Sequence, residues 1–599
     1  MNRTLQPRHA IPVEQTWDLT HLFPDQASYT AALAELETLT ASLMQTWHGQ
    51  VAQADAAELC QAVAAFEQLA IRLSRAGTYA SLAVSVDLTN DALNSQAMRF
   101  ESLAAAISSQ LALIISEFMD VPDERLDTVA VLDPAHAVFY SDTKRQKKHR
   151  LQPETEKVLA ALSPTLGLPS TAYEQAKHAD MDFGCFEAGG QVYPLSFVLF
   201  ENDYNLSPDR DVRRSAFDAF SAVLMKYQNT VASLYNGEVQ KQKILSRLRG
   251  FPSVFDYLLD EQKVSRDLYD RQIDIVMDEL APHMRRYARL LQKAHGLEKM
   301  TFADLKVALD PGYDPVMDMA EARQVVSDAL GVLGPDYQAG VLRAFDERWI
   351  DYAQNIGKMT GGFCASPYQV HGYILLSWTS HLSEVFTLAH ELGHALHFVL
   401  AQAAQPYLAC EPSLYMVEAP STLNELLLMQ ALLKQNPDPR FQRWVLASLI
   451  QNTYYHNFVT HLLEAAYQRE VYRRVDAGEH LQASDLNAIK RDVLTRFWGD
   501  AVEINDGAEL TWMRQPHYYM GLYSYTYSAG LTIATEVNRR IQTEGETAVQ
   551  DYLAALKAGA SVGPVAFAAL AGVDVTGPDA LRRTIKAIGE MVDELEKGL

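Results

Sequence analysis

The chain is predicted to be mainly α, a large multi-helix body with a small β element, on three observations. Long stretches place apolar residues three and four apart, as a helix with one face in a core requires. Those stretches are rich in Ala, Leu, Glu and Gln, all good helix formers. Strand-like segments are few and short. With 599 residues, 48% of them hydrophobic, the chain carries two to four domains' worth of core, or one large helical body with a cleft.

In chain order, residues 1–20 read as an extended arm, with Pro7 and Pro12 and little periodicity. Thr16-Trp17-Asp18-Leu19 leads into a turn at Phe23-Pro24-Asp25. From Ala27 to about Asp120 a run of amphipathic helices is expected, clearest at Ala54–Asp87 and Asn94–Asp120. Ser141–Arg150 is a basic patch, read as a solvated face. Asp182–Glu201, with Gly184, Gly189-Gly190 and Val192-Tyr193-Pro194-Leu195, reads as a small β excursion and a boundary. It divides an N-terminal helical lobe with its arm (1–200) from a second region (201–599). Asp209–Leu248 reads as one long helix or a pair, followed by a helix over Ser265–Leu297 and a turn at Asp310–Pro315. Gly361-Gly362 opens a flexible loop. Val370–Trp378 reads as a strand, either a buried strand of a small sheet or one whose edge holds an extended peptide by main-chain hydrogen bonds; on the second reading Gly361, Gly362 and Tyr373 are candidate substrate-binding residues.

Bulk properties narrow the function. The net charge of −24 gives a surface that repels phosphate backbones, so nucleic acid is not an expected partner. No uninterrupted apolar window of membrane-spanning length and no secretory leader is read, so no membrane partner is expected. Cys60, Cys185, Cys364 and Cys410 are scattered and form no disulfide framework. The expected compartment is the cytoplasm.

Chemistry concentrates at His390-Glu391-Leu392-Gly393-His394, inside the apolar helical segment Ser383–Gln405. Histidines four apart share a helix face and can offer two imidazole nitrogens to one zinc ion. Glu391, beside the first, can take a proton from a water on that ion. A catalytic site needs a third protein ligand. A third histidine six residues after the second is not available, because that position is Leu400; His397 reads as a packing residue or as one that supports a ligand from behind. Glu411, Glu418 and Glu425 remain. The last two are seven apart on one face of the apolar segment Val417–Leu433, so one can ligate while the other orients a histidine.

His390–His397, followed by Val417-Glu418-Ala419-Pro420-Ser421 and Glu425, resembles the thimet-oligopeptidase-like family of zinc peptidases, and within it the oligoendopeptidase F subgroup. Gly361–Cys364, Tyr373–Leu376, Leu556–Ser561, Ala571–Val575 and Trp17-Asp18-Leu19 extend the resemblance over most of the chain. Ser377-Trp378 departs from the expected asparagine and smaller aromatic. The resemblance implies a helical body divided by a deep central substrate channel, with one zinc ion on its floor held by His390, His394 and Glu418 and supported by Glu425.

Further on, His517–Tyr527 holds five tyrosines, and phenol or imidazole donors can stabilise the oxyanion of a tetrahedral intermediate. Glycines at 521 and 530 would let the stretch 515–530 close as a loop. By the family match His517, Tyr523 and Tyr525 are the expected catalytic partners of Glu391, with Tyr518 and Tyr519 as possible substrate contacts. The resulting expectation is a zinc endopeptidase cutting internal bonds of short oligopeptides. Its rivals are a zinc exopeptidase and a non-catalytic helical peptide-binding protein.

Overall fold

The computed structural model describes residues 5–359 and 361–598; Met1–Thr4, Thr360 and Leu599 lie outside the described residues. Helices dominate, and many start on a side chain suited to the task. Asp25 accepts from Ser28 N to open α1 (Gln26–Trp47). Asp55 and Glu58 form a reciprocal capping box at the start of α2 (Ala56–Ser85), and Asn90 caps α3 (Asp91–Phe118). These three pack into a bundle whose core runs from Tyr29 to Tyr140. By length and composition α3 would also suffice to cross a membrane. In this fold Phe100, Ile107, Leu111, Ile114 and Phe118 of α3 enter the bundle core.

The expected β excursion is a hairpin of β1 (Cys185–Ala188) and β2 (Gln191–Pro194), turned through Gly189 and Gly190 at φ +56° and +77°. Asp209 then caps a single 39-residue helix, α4 (Arg210–Leu248). After α5 (Val254–Gln262), the helix expected over Ser265–Leu297 runs from Arg266 to Ala294 with a wide π turn at Val276–Leu280. Pro282 follows immediately, and a residue without an N–H disturbs the regular ladder of the preceding turn.

A three-stranded sheet has the order β3 (Ile350–Asp351), β5 (Tyr373–Leu375), β4 (Phe363–Ala365). β5 is parallel to β3 and antiparallel to β4, so both of its edges are occupied. The arm straps across this sheet. Arg8 pairs with the buried Asp351, which also takes Lys358 at 2.7 Å, and Trp17 packs 6.1 Å from the ring of Tyr373.

The helices that follow carry the chemistry: α6 (Leu382–Ala404), α7 (Glu418–Gln435), a twelve-residue π-helical stretch Leu449–Thr460 that runs into α8 (His461–Asp476), then α9 (Ala483–Trp498) and α10 (Thr526–Glu544). α7 lies between α6 and α10. A Cβ on Gly393 of α6 would meet Pro420 O and Ser421 Cα at 2.6 Å, and one on Gly530 of α10 would meet Glu418 Cβ at 2.9 Å. Helices approach this closely only where glycine removes the side chain. One continuous core spans Tyr173 to Leu595 and is separate from that of the N-terminal bundle.

Candidate metal centre

His390 and His394 stand one turn apart on α6, and the first turn of α7 brings Glu418 against them. Glu418 Oε2 lies 3.3 Å from His390 Nε2 and 3.4 Å from His394 Nε2. The three side chains each offer an atom within 4.8 Å of the others, a spacing one small cation could bridge. Ser421 donates to the same Glu418 oxygen at 2.9 Å and steadies it. The remaining nitrogen of His390, Nδ1, is 2.7 Å from Glu425 Oε1, and Glu425 in turn accepts from the Thr453 hydroxyl. This places Glu425 behind His390, where it fixes the ring and the nitrogen that faces Glu418. Two imidazoles and a carboxylate are a donor set that suits zinc. Burial resists charge on Glu418, yet His394 and His390 hold its carboxyl well below the ordinary carboxylate range.

Glu391 is buried, with 6% of its surface exposed, and burial raises its carboxyl above the ordinary value. The loop at Gly361-Gly362 backs onto it: a Cβ on Gly362 would lie 3.4 Å from Glu391 Oε1 and 3.1 Å from Thr387 Cγ2. Gly361, at φ +87°, supplies the turn that brings this backbone in. Tyr373 serves the fold, its ring buried against Trp17 and its hydroxyl donating to Asp18 O at 3.2 Å. The expected peptide-pairing strand therefore has no free edge at 373–375. The outer strand on this side is β4, which continues directly from Gly362.

The aromatic stretch divides in two. Tyr523 and Tyr527 stand with ring centroids 5.2 Å apart, and the ring of Tyr523 is 5.4 Å from His517. Burial raises both phenols, and both feel the negative charge of Glu418. Tyr525 turns the other way: its hydroxyl donates to Gln262 Oε1 at 2.6 Å and its ring meets Tyr269 edge-on at 4.9 Å. Tyr518 packs between Tyr235 and Tyr467, and Tyr519 stacks 4.7 Å from Tyr173. Of the five tyrosines, Tyr523 and Tyr527 are those grouped with His517.

A second cluster, absent from the sequence reading, supports His517. Glu464 Oε2 lies 2.8 Å from His461 Nδ1 and 3.3 Å from His517 Nδ1, and it accepts from Ser524 Oγ at 3.2 Å. His461 stacks on Tyr527 at 4.1 Å and meets His456 through their Nε2 atoms at 3.1 Å. Burial opposes charge on Glu464, but His461 and His517 hold its carboxyl far below the ordinary range. A buried acid three residues after a histidine, set among Leu462, Leu463, Ala465 and Ala466, is the same sort of signal that marked Glu418 and Glu425. His397 packs wholly inside, near Phe398 and Phe567, with neither ring nitrogen hydrogen-bonded.

The pattern of Peptidase family M3 matches residues 204–587, and that of the Oligopeptidase F N-terminal family matches 117–183. The chain is 27% identical to Oligopeptidase PepF of Bacillus subtilis over 598 residues, covering 99% of this chain and 88% of that protein. It is also 27% identical to Group B oligopeptidase PepB of Streptococcus agalactiae, with 98% of each chain covered. The crystal structure of oligoendopeptidase-F from Enterococcus faecium superposes with a TM-score of 0.74 at 22% identity, covering 95% of this chain and 98% of that one.

Proposed function

Since the chain belongs to peptidase family M3 and is a metallo-oligopeptidase, we propose that it cuts internal bonds of short peptides at one zinc ion held by His390, His394 and Glu418. The convergence of those three side chains, with Glu425 bonded to the back of His390, carries the reading. Enzymatic membership sets aside the non-catalytic binding module.

When bound, the ion supplies Lewis acidity that polarises the scissile carbonyl and acidifies water. The other roles fall to the chain. Glu391 takes the proton of the attacking water as its oxygen bonds to the carbonyl carbon. It then passes that proton to the amide nitrogen as the C–N bond breaks and the amine departs. His517, Tyr523 and Tyr527 donate to the developing oxyanion. Glu464 and His461 do not touch the substrate; they hold His517 and Tyr527 in place. The β4 edge with Gly361-Gly362 pairs with the extended peptide beside Glu391. Tyr525, Tyr518 and Tyr519 belong to the packing around this wall.

The test is Glu391→Gln. The variant should retain one zinc per chain by elemental analysis and lose kcat/KM on a quenched peptide by about 10³-fold, within the range for a general base. Turnover near the wild-type rate would remove Glu391 from the mechanism. A peptide blocked at both termini separates internal cleavage from the exopeptidase reading, because only an endopeptidase cuts it.

A further inference from the structure

Tyr523 sits in a stretch whose backbone is held by glutamine side chains from three other helices. Gln468 of α8 donates to Gly521 O at 2.8 Å, Gln262 of α5 donates to Leu522 O at 2.8 Å, and Gln272 donates to Tyr525 O at 3.0 Å. Gln468 and Gln272 are buried. Gln262 makes a second bond to the same stretch, its Oε1 accepting from the Tyr525 hydroxyl at 2.6 Å. It therefore grips the residue just before Tyr523 and the residue two after it. A primary amide suits this task, because one end donates and the other accepts without any charge to bury.

Gln262 differs from the other two in where its helix leads. Gln272 and Gln468 stand on helices that pack into the second core. Gln262 is the last residue of α5, and its neighbours on both sides are tied to the helix Ala137–Lys147, whose Tyr140 lies in the core of the N-terminal bundle. Asp260 pairs with Arg145, which also donates to Asp260 O at 3.2 Å, and Lys263 Nζ lies 2.9 Å from Asp142. Lys263 itself stands at φ +57°, a left-handed conformation that a residue with a side chain keeps only where its surroundings fix it. Beside these ion pairs is a cavity of about 440 Å³, lined by Ile115 and Met119 of α3 and by Tyr257 and Glu261 of α5. Polar bridges, not a shared apolar core, join the bundle to α5 at this point.

Resting on the oligopeptidase reading, we infer that Gln262 is a positioning residue that couples the N-terminal bundle to the oxyanion donors. Arg145 and Asp142 fix the end of α5. Gln262 passes that placement to Leu522 O and to the Tyr525 hydroxyl, and Tyr523 between them is set against His517. Gln262 acts through Tyr523 and not on the substrate. An oxyanion donor works only when aimed at the point where charge develops, and a misplacement of about 1 Å can cost about 10²-fold in rate. The bundle, which supplies no residue to the chemistry, thereby bears on turnover.

The experiment measures kcat and KM on a quenched peptide for the zinc-loaded full chain. The variants are Gln262→Met, Tyr523→Phe, the two combined, and Arg145→Met with Asp142→Asn, which removes both ion pairs to α5. Gln262→Met should lower kcat by about tenfold, keep KM within about twofold and retain one zinc per chain. Tyr523→Phe should lower kcat by about 10²-fold, and adding Gln262→Met to it should cost nothing further. The ion-pair variant should lower kcat in the same manner at unchanged KM. An unchanged kcat in Gln262→Met or in the ion-pair variant overturns the coupling. So do losses that simply add in the Tyr523→Phe background, the pattern of a general structural defect. If the wild type cuts no peptide, or Tyr523→Phe leaves kcat intact, the fault lies with the proposed function. The coupling is then read from amide hydrogen exchange over residues 517–527. Faster exchange in both Gln262→Met and the ion-pair variant supports it, and unchanged exchange in either overturns it.

Discussion

Gly393 shows how tightly the metal pair is tied to packing. Its missing side chain lets α7 press Glu418 towards both histidines, and a methyl there would meet backbone at 2.6 Å. Gly393→Ala should force the helices apart, lose zinc at chelator concentrations the wild type tolerates, and lower Tm by several degrees, since overpacking costs about 1–3 kcal/mol. Calorimetry with and without chelator measures both effects. His397 gives a prediction about pH. Burial lowers it from 6.5 to about 3, so below pH 6.5 the unfolded chain binds a proton that the folded one refuses. Its contribution to stability is intact above pH 6.5 and falls as pH falls, by about 2 kcal/mol at pH 5. His397→Leu should remove that part of the acid sensitivity, seen as a smaller loss in urea midpoint between pH 7 and 5; an unchanged loss would contradict it. The residues on α6 and α7 were legible because helix phase alone places His390 with His394 and Glu418 with Glu425. The tyrosines were harder. Read as a loop, 515–530 has no phase, but α10 begins at Thr526, so Tyr527 lies about one turn from Tyr523 while Tyr525 points elsewhere.

At the scale of elements, the π-helical stretch Leu449–Thr460 does work that an α-helix would not. Its wider turns bond residue i to i+5, so His456 and His461, five apart, come within 3.1 Å. Thr453, on the same stretch, reaches Glu425 behind His390. Thr453→Val and Glu425→Gln should each weaken zinc binding by about 10–100-fold, the usual effect of removing a group that orients a ligand. Competition with a chelator of known affinity reads this, and an unchanged zinc affinity would free His390 from that chain of bonds. No sequence pattern announces a π turn, because its apolar spacing blurs between three, four and five; the meeting of His456 with His461 was not legible for that reason. The sheet was half legible. The run Val370–Trp378 declared a strand, but strand order depends on β3 and β4, which contribute two and three residues, too few for any periodicity.

At the scale of the molecule, mainly helical architecture was legible from apolar spacing, and the long helices fell close to their expected bounds. The cores of 29–140 and 173–595 part between Tyr140 and Tyr173, so the β1–β2 hairpin packs with the second core through Phe186 and Ala188. We propose that the metal centre lies at the floor of a channel which admits extended chains only. A folded globular protein and an internally quenched peptide, incubated together, should then differ by orders of magnitude in cleavage rate; comparable rates would remove the channel. The arm has consequences for how the enzyme comes into being. Arg8 pairs with an aspartate 343 residues further along, and Trp17 waits for Tyr373. At about 5–20 residues per second of synthesis, the strap is exposed for roughly 20–70 s before its partners are made. His390, His394 and Glu418 follow it out of the ribosome, and His517 follows them. The stretch His517–Tyr527 is therefore translated after His390, His394 and Glu418, and the two sides of the candidate site can meet only once it has left the ribosome.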